Sequence, residues 1–172
     1  MFCAFLMVLL LFFLQLQVFQ SICFHLVKVT GKNVKSSTTI YVPDNYSTIQ
    51  EAINAANPGD TIIVRQGTYY DNLVVNVSDI VLRSESGPSK TIIDGNSTIF
   101  VIGICANNVT IKGFTIINGH YGIYVWSNGN KIEKCNIKNN WGGVFLVNSS
   151  GNTISGNNVT NNWYGICLLY TS

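Results

Sequence analysis

The chain has 172 residues, with 10% charged residues and a formal net charge of +2. One domain plus a targeting segment fits that length. The ten basic residues are scattered, which excludes a nucleic-acid binder built on a clustered basic face, and the frequency of β-branched residues excludes a disordered chain.

Phe2 to Leu14, "FCAFLMVLLLFFL", is an unbroken apolar run of thirteen residues. Its length is that of a signal-peptide core and short of the ~20 residues that a membrane span needs. No Lys or Arg precedes the run and no A-x-A site follows it, and apolar positions continue to Val27. Residues 1–27 therefore read as a cleaved signal peptide or a retained N-terminal anchor, and either one implies export to the periplasm, the cell surface or the medium. Residues 28–38 contain "KVTGKNVKSS", a polar linker, and residues 39–172 form the folded domain.

The first element of that domain after Ile40 is a short helix. Ser47-Thr48-Ile49-Gln50 is a capping-box pattern, Ile49, Ala52, Ile53 and Ala56 share one helical face, and Asn57-Pro58-Gly59 stops it. A helix there closes an open sheet edge. Ile62, Val64, Leu73, Val75, Ile80 and Leu82 follow as strand residues with inward side chains, and "SESGPS" is a projecting loop. "KTIIDG" parallels "FTIING", which places Asp94 where Asn118 sits.

From Ile111 onward the chain repeats itself. Ile111, Ile132 and Ile154 form one column; Ile116, Ile137 and Val159 a second; Gly122, Gly143 and Gly165 a third, followed by Ile123, Val144 and Ile166 and by Val125, Leu146 and Leu168. Steps of 21 and then 22 residues signal a solenoid. Ile132-x-x-Cys135-x-Ile137-x-x-Asn140 fits a leucine-rich repeat, but the other half of each unit, "WGGVFLVNSSG", alternates in period two between Gly and Asn brackets. That half is another strand, so the fold is an all-β solenoid, a right-handed parallel β-helix with 21–22-residue coils and a short N-terminal capping helix. Asn118, Asn139 and Asn161 stack at one corner, where asparagine tolerates a left-handed backbone and its amide bonds along the stack.

"STIQEAINAANPGDTIIVRQGTYYDNLVV", then "TIIDG", then units of the form N-x-I-x-x-N-x-I-x-x-N-x-x-G-I, resemble the NosD-like right-handed β-helix proteins, pectin-lyase-like chains whose units are also described as a repeat of carbohydrate-binding proteins and sugar hydrolases. The resemblance covers about Thr39 to Leu168. It implies three functions: a polysaccharide lyase or glycoside hydrolase, a copper-delivery accessory protein, and a binding or scaffolding module at a cell surface.

The first needs paired carboxylates, for acid/base work or for calcium. From Gly95 onward the only acid is Glu133, and Asp71, Asp79, Glu85 and Asp94 form no column upstream. The residues present carry no catalytic site on this reading. Copper needs His, Met or Cys close together, and the sequence places only His120 and perhaps a second histidine, His25, in the exported part, with no methionine. No metal site and no cofactor are expected. Cys135 falls in an inward column with Phe114, Cys105 and Cys167 fall outward, and the odd count without C-x-x-C spacing indicates no disulfide framework.

The third function rests on aromatics at outward or turn positions. His120, Trp141 and Trp163 share one column, Tyr121 and Tyr164 another, Tyr124 and Phe145 a third, with Trp126 alongside. Such rings either pack on one another over the turns or offer a platform to sugar faces. A surface polysaccharide is the partner that the second alternative implies. Six N-x-S/T sequons, at Asn45, Asn76, Asn96, Asn108, Asn148 and Asn158, are candidate glycosylation sites, although an Asn- and Thr-rich repeat generates sequons by composition alone. No cap follows "GICLLY", so the sequence reads as a piece of a longer array in which further coils continue the columns.

Overall fold

The structure is a computed structural model that describes residues 36–170. The signal or anchor segment and most of the linker lie outside the described residues. In chain order the elements are β1 (Thr39–Val42), α1 (Ile49–Ala55), β2 (Thr61–Val64), β3 (Gly67–Tyr70), β4 (Leu73–Val75), β5 (Val81–Ser84) and β6 (Thr91–Ile104). They continue with β7 (Thr110–Lys112), β8 (Thr115–Val125), β9 (Lys131–Glu133), β10 (Asn136–Lys138), β11 (Gly142–Val147), β12 (Thr153–Ser155), β13 (Asn158–Thr160) and β14 (Tyr164–Leu169).

Among the described residues every strand pairing is parallel and joins one coil to the next. One face stacks β1-β2-β5-β7-β9-β12. The second stacks β3, the first half of β6, the first half of β8, β10 and β13; the third stacks β4, the second halves of β6 and β8, β11 and β14. The described residues thus form a right-handed parallel β-helix of about six coils at about 22-residue spacing, with one helix among them. Among the described residues no helix is long and apolar enough to cross a membrane.

The columns read from the sequence are the core. Ile111 pairs with Ile132 and Ile132 with Ile154; Ile116 with Ile137 and Ile137 with Val159; Ile123 with Val144 and Val144 with Ile166. Ile62, Val64, Leu73, Val75, Ile80 and Leu82 are all fully buried in the same core. The glycine column has a packing cause. A Cβ on Gly143 would lie 2.6 Å from the Gly165 carbonyl oxygen and 2.8 Å from Val159. The inner side of that corner is already filled, so only glycine fits.

Three corners separate the faces, and each holds residues in the left-handed region. Asn118, Asn139 and Asn161 have φ of 61°, 58° and 54° at one corner; Asp79, Asn108, Gly129 and Gly151 do the same at another, and Gly113, Lys134 and Gly156 at the third. Asparagine and glycine recur here because few other residues accept that backbone.

Two local expectations shift by one residue. The helix cap is Thr48 rather than Ser47: its Oγ1 accepts from the Glu51 N–H and the Glu51 carboxylate accepts from the Thr48 N–H. Ile49, Ala52, Ile53 and Ala56 are buried as expected, and α1 packs on β1, β2 and β4 to close the first coil. Thr48→Ala is expected to lower stability by about 1 kcal/mol, and Ser47→Ala by much less, as measured by urea unfolding. An equal cost at both would place the cap wrongly.

The second shift is at Asp94, which pairs with Ile117 and not with Asn118, because Ile93 rather than Ile92 stacks on Ile116. A bulge between Asp94 and Thr98 absorbs the slip. Asp94 is still a turn acceptor, taking hydrogen bonds from the Asn96 N–H at 2.9 Å and the Asn118 side-chain amide at 3.0 Å.

Candidate functional site

The aromatic residues gather where the second face turns into the third. Tyr121, Gly142 and Tyr164 are in register, as are Tyr124, Phe145 and Cys167. Between them Ile123, Val144 and Ile166 alternate to the inside, so the rings point outward. At the corner the His120 and Trp141 rings stack with centroids 4.5 Å apart and planes 15° from parallel. Tyr164 meets Trp141 edge-on at 4.8 Å. Backbone hydrogen bonds from the Trp141 N–H to the Gly119 carbonyl and from the Trp163 N–H to the Asn140 carbonyl fix the height of each indole.

The structure divides the seven candidate residues into two groups. Trp163 is 78% exposed and Trp141 39%, Tyr164 is exposed, and His120 is half-buried at the upper end of this strip. Tyr121 and Tyr124 are each only 1% exposed and belong instead to an apolar cluster with Phe100 and Val147, against which Trp126, Phe145 and Val74 pack. They are therefore not accessible platform members. Glycine is required beside these rings: a Cβ on Gly142 would sit 2.7 Å from the Tyr121 ring, and one on Gly103 would sit 2.9 Å from the Phe100 ring. Phe100 and Val147 went unrecognised in the sequence, and the signal available was a glycine beside each tyrosine in the columns.

Burial sets the ionisation of the group. It raises the Tyr121 and Tyr124 phenols far above the ordinary value and lowers His120, which keeps that imidazole neutral at neutral pH. The Tyr124 hydroxyl is buried and has no hydrogen-bond partner among the described residues.

The acids are engaged structurally. Arg65 bridges Asp44 and Glu85, Asp60 accepts from the backbone of Asn57 and Thr38, Asp79 accepts from the Asn108 amide, and Glu133 lies 3.8 Å from Lys112. Asp71 is the exception in environment, its carboxyl raised by burial. Of the sequon asparagines, Asn45, Asn96, Asn108, Asn148 and Asn158 are exposed, whereas Asn76 is half-buried with its Oδ1 enclosed. Asn96, Asn108 and Asn148 have positive φ, so the backbone itself calls for asparagine at three of the six.

The described residues do not fit a copper centre. Among them no group of three His, Cys, Asp or Glu side chains is placed to hold a metal ion. His120 is stacked on an indole, and the Cys135 thiol is buried in the core with its pKa pushed up to about 11. Cys135 and Cys167 are free and Cys105 is disulfide-bonded, where the spacing of the cysteines indicated no disulfide framework.

Comparison with known proteins places this architecture. A cell surface glycoprotein of Methanothermus fervidus is 39% identical over 111 residues, 63% of this chain, and the chain spans only 16% of that protein's length. Among solved structures, a pectin methylesterase mutant in complex with a hexasaccharide aligns with a TM-score of 0.48 at 14% identity over 73% of this chain and 50% of its own. Pectin methylesterase PemA from Erwinia chrysanthemi aligns with a TM-score of 0.48 at 12% identity over 69% of this chain and 49% of its own. The family model described as periplasmic copper-binding protein (NosD) matches residues 53–172, and by that match the chain belongs to the NosD family.

Proposed function

We propose that this chain is an exported β-helix module that binds a surface saccharide along the corner formed by Trp141, Trp163 and Tyr164. What supports the reading is the 39% exposure of Trp141 and the recurrence of its indole one coil on in Trp163, beside the exposed asparagines Asn139 and Asn161. Coils rise about 4.8 Å each, a step close to the length of one pyranose ring. Flat indole faces take the C–H face of a sugar, and the neighbouring amides take its hydroxyl edge. The NosD match and the likeness to a cell surface glycoprotein support an exported setting. The copper role in the family description finds no ligand set among the described residues.

Glycan-array binding of the full chain tests the proposal. Trp163→Ala, which removes a mostly exposed ring, is expected to weaken binding about tenfold, and the Trp141→Ala, Trp163→Ala double variant to abolish it. Tyr70→Ala, an exposed ring on the second face, serves as the control. Absence of binding to any glycan, or an equal loss in the Tyr70 variant, would overturn it.

A further inference from the structure

Among the described residues, each face of the β-helix begins with a strand that has a neighbour on one side only: β1 on the first face, β3 on the second and β4 on the third. A parallel strand sends the N–H and C=O of alternate residues to opposite sides. Each of these edges therefore presents backbone groups that need another partner.

Two of the edges are closed by an amide residue that stands in for the missing strand. At β4 the Val74 N–H donates to Gln50 Oε1 at 2.8 Å, and Gln50 Nε2 donates to the Val74 carbonyl at 3.2 Å. At β1 the Tyr41 N–H donates to Asn45 Oδ1 at 2.7 Å, and the Asn45 N–H donates to the Tyr41 carbonyl at 2.8 Å.

β3 has no such plug. The Gly67 N–H donates to the Lys90 carbonyl and the Asp71 N–H to the Asp94 carbonyl, which puts the backbone groups of Thr68 and Tyr70 on the free edge. Among the described residues nothing pairs with them there. The chain that could have run alongside, Pro43 to Ser47, folds back on β1 and leads into α1. Gly67, Thr68 and Tyr70 are exposed, Tyr70 at 76%, so the edge is open. Its surroundings are acidic. Asp71 directly follows β3, and Glu51 lies close enough to act on its carboxyl electrostatically. Neither acid has an ion-pair partner among the described residues. Residues 36–94 as a whole hold seven acids against three basic residues.

We propose that the β3 edge binds an extended, lysine- or arginine-bearing peptide segment of another protein by strand addition. The N–H and C=O groups of the segment pair with those of Thr68 and Tyr70, in either strand direction, and complete the ladder. Alternate side chains of the added strand fall over half-buried Tyr69 and beside the exposed Tyr70 ring. Apolar or β-branched residues suit those places, and a cation at the Asp71 end meets the two unpaired carboxyls. A second copy is the poorer occupant, because pairing β3 with β3 brings two sets of acids together.

The test titrates the full chain with a fluorescent probe, the peptide Lys-Thr-Val-Thr-Val-Lys with both ends blocked, and follows its anisotropy. Saturable binding is expected, with slowed hydrogen exchange at the Thr68 and Tyr70 amides. A probe with methylated amide nitrogens is expected to bind about tenfold more weakly, as is one with glutamate in place of both lysines. Tyr70→Pro removes an edge N–H at a place where proline is tolerated. It is expected to weaken binding about tenfold with an unchanged urea midpoint. Asp71→Asn, which keeps the edge intact, is expected to lower the preference for lysine over glutamate severalfold. No saturable binding, equal binding of the methylated probe, protection confined to the last coil, or protection of Thr68 and Tyr70 by self-association without the probe would each overturn the proposal.

Discussion

Ile137→Asp is expected to unfold the coils around it at neutral pH. Ile137 is fully buried, with Ile116 on one side and Val159 on the other in the second-face column. The change removes about 1.5–3 kcal/mol of apolar burial and puts a carboxylate where no partner reaches it, at a further cost of several kcal/mol. Against a typical total of about 5–15 kcal/mol for a domain, that is decisive. Because a solenoid is held by nearest-neighbour interfaces, the loss should be local first. Hydrogen exchange is expected to show lost protection in β8, β10 and β13 while the coil under α1 stays protected.

The pH dependence carries a signature. Burial raises the folded pKa of the introduced acid above its unfolded value of about 3.9. The folded state then binds the proton more tightly, so the penalty is small below about pH 4 and grows as pH rises through the folded pKa. Ile137→Val, as control, is expected to cost about 1 kcal/mol without pH dependence. An aspartate variant with an unchanged urea midpoint at pH 7 would show that the column is not interior.

The β-helix was legible in the sequence because stacking forces like onto like. An inward isoleucine must meet an inward residue one coil on, and the period appears wherever coils have equal length. Upstream that rule loosens: the step from Leu82 to Ile111 is 29 residues, and the extra chain goes mainly into the "SESGPS" loop before β6, with the rest in the bulge after Asp94. Similar strings such as "TIID" and "TIIN" then align in sequence and slip by one in space, since burial of Ile93, and not the matching letters, sets the register. The capping box shifted for a comparable reason. Both Ser47 with Gln50 and Thr48 with Glu51 satisfy the pattern, and the helix began where Ile49 could be buried.

The candidate site was legible as a set of columns but not as a surface. Alternation gives the direction of a side chain, inward or outward, and says nothing of what lies above an outward ring. Tyr121 and Tyr124 point out as expected and are still buried, while Trp141 and Trp163, at the corner, stay open.

The repeated Asn-Asn-Trp triplet separates two roles that the sequence merges, and Asn140→Leu is expected to show it. Asn139 and Asn161 are exposed corner residues with positive φ, so their requirement is backbone freedom. Asn140 turns inward and is buried. Its Oδ1 accepts from the Gly119 N–H at 2.9 Å, and its Nδ2 donates to the Lys138 carbonyl at 3.0 Å and to Asn162 Oδ1 at 3.1 Å. Its own N–H donates to the same Asn162 oxygen at 2.9 Å. Asn162 repeats the pattern toward the Ile137 carbonyl at 2.8 Å. The amides thus satisfy backbone groups that the corner removes from the sheet ladder. Leucine matches the volume but none of the bonds, and a buried N–H or C=O left unpaired costs about 1–3 kcal/mol, so a loss of about 3–5 kcal/mol is expected for the groups stranded together. Asn139→Gly should be close to neutral, since glycine accepts the left-handed backbone, and Asn139→Ala should cost about 1–2 kcal/mol through that strain. Urea unfolding of the three variants decides the matter. Equal losses at Asn139 and Asn140, or a neutral Asn140→Leu, would show that the inner amide is not what holds the corner.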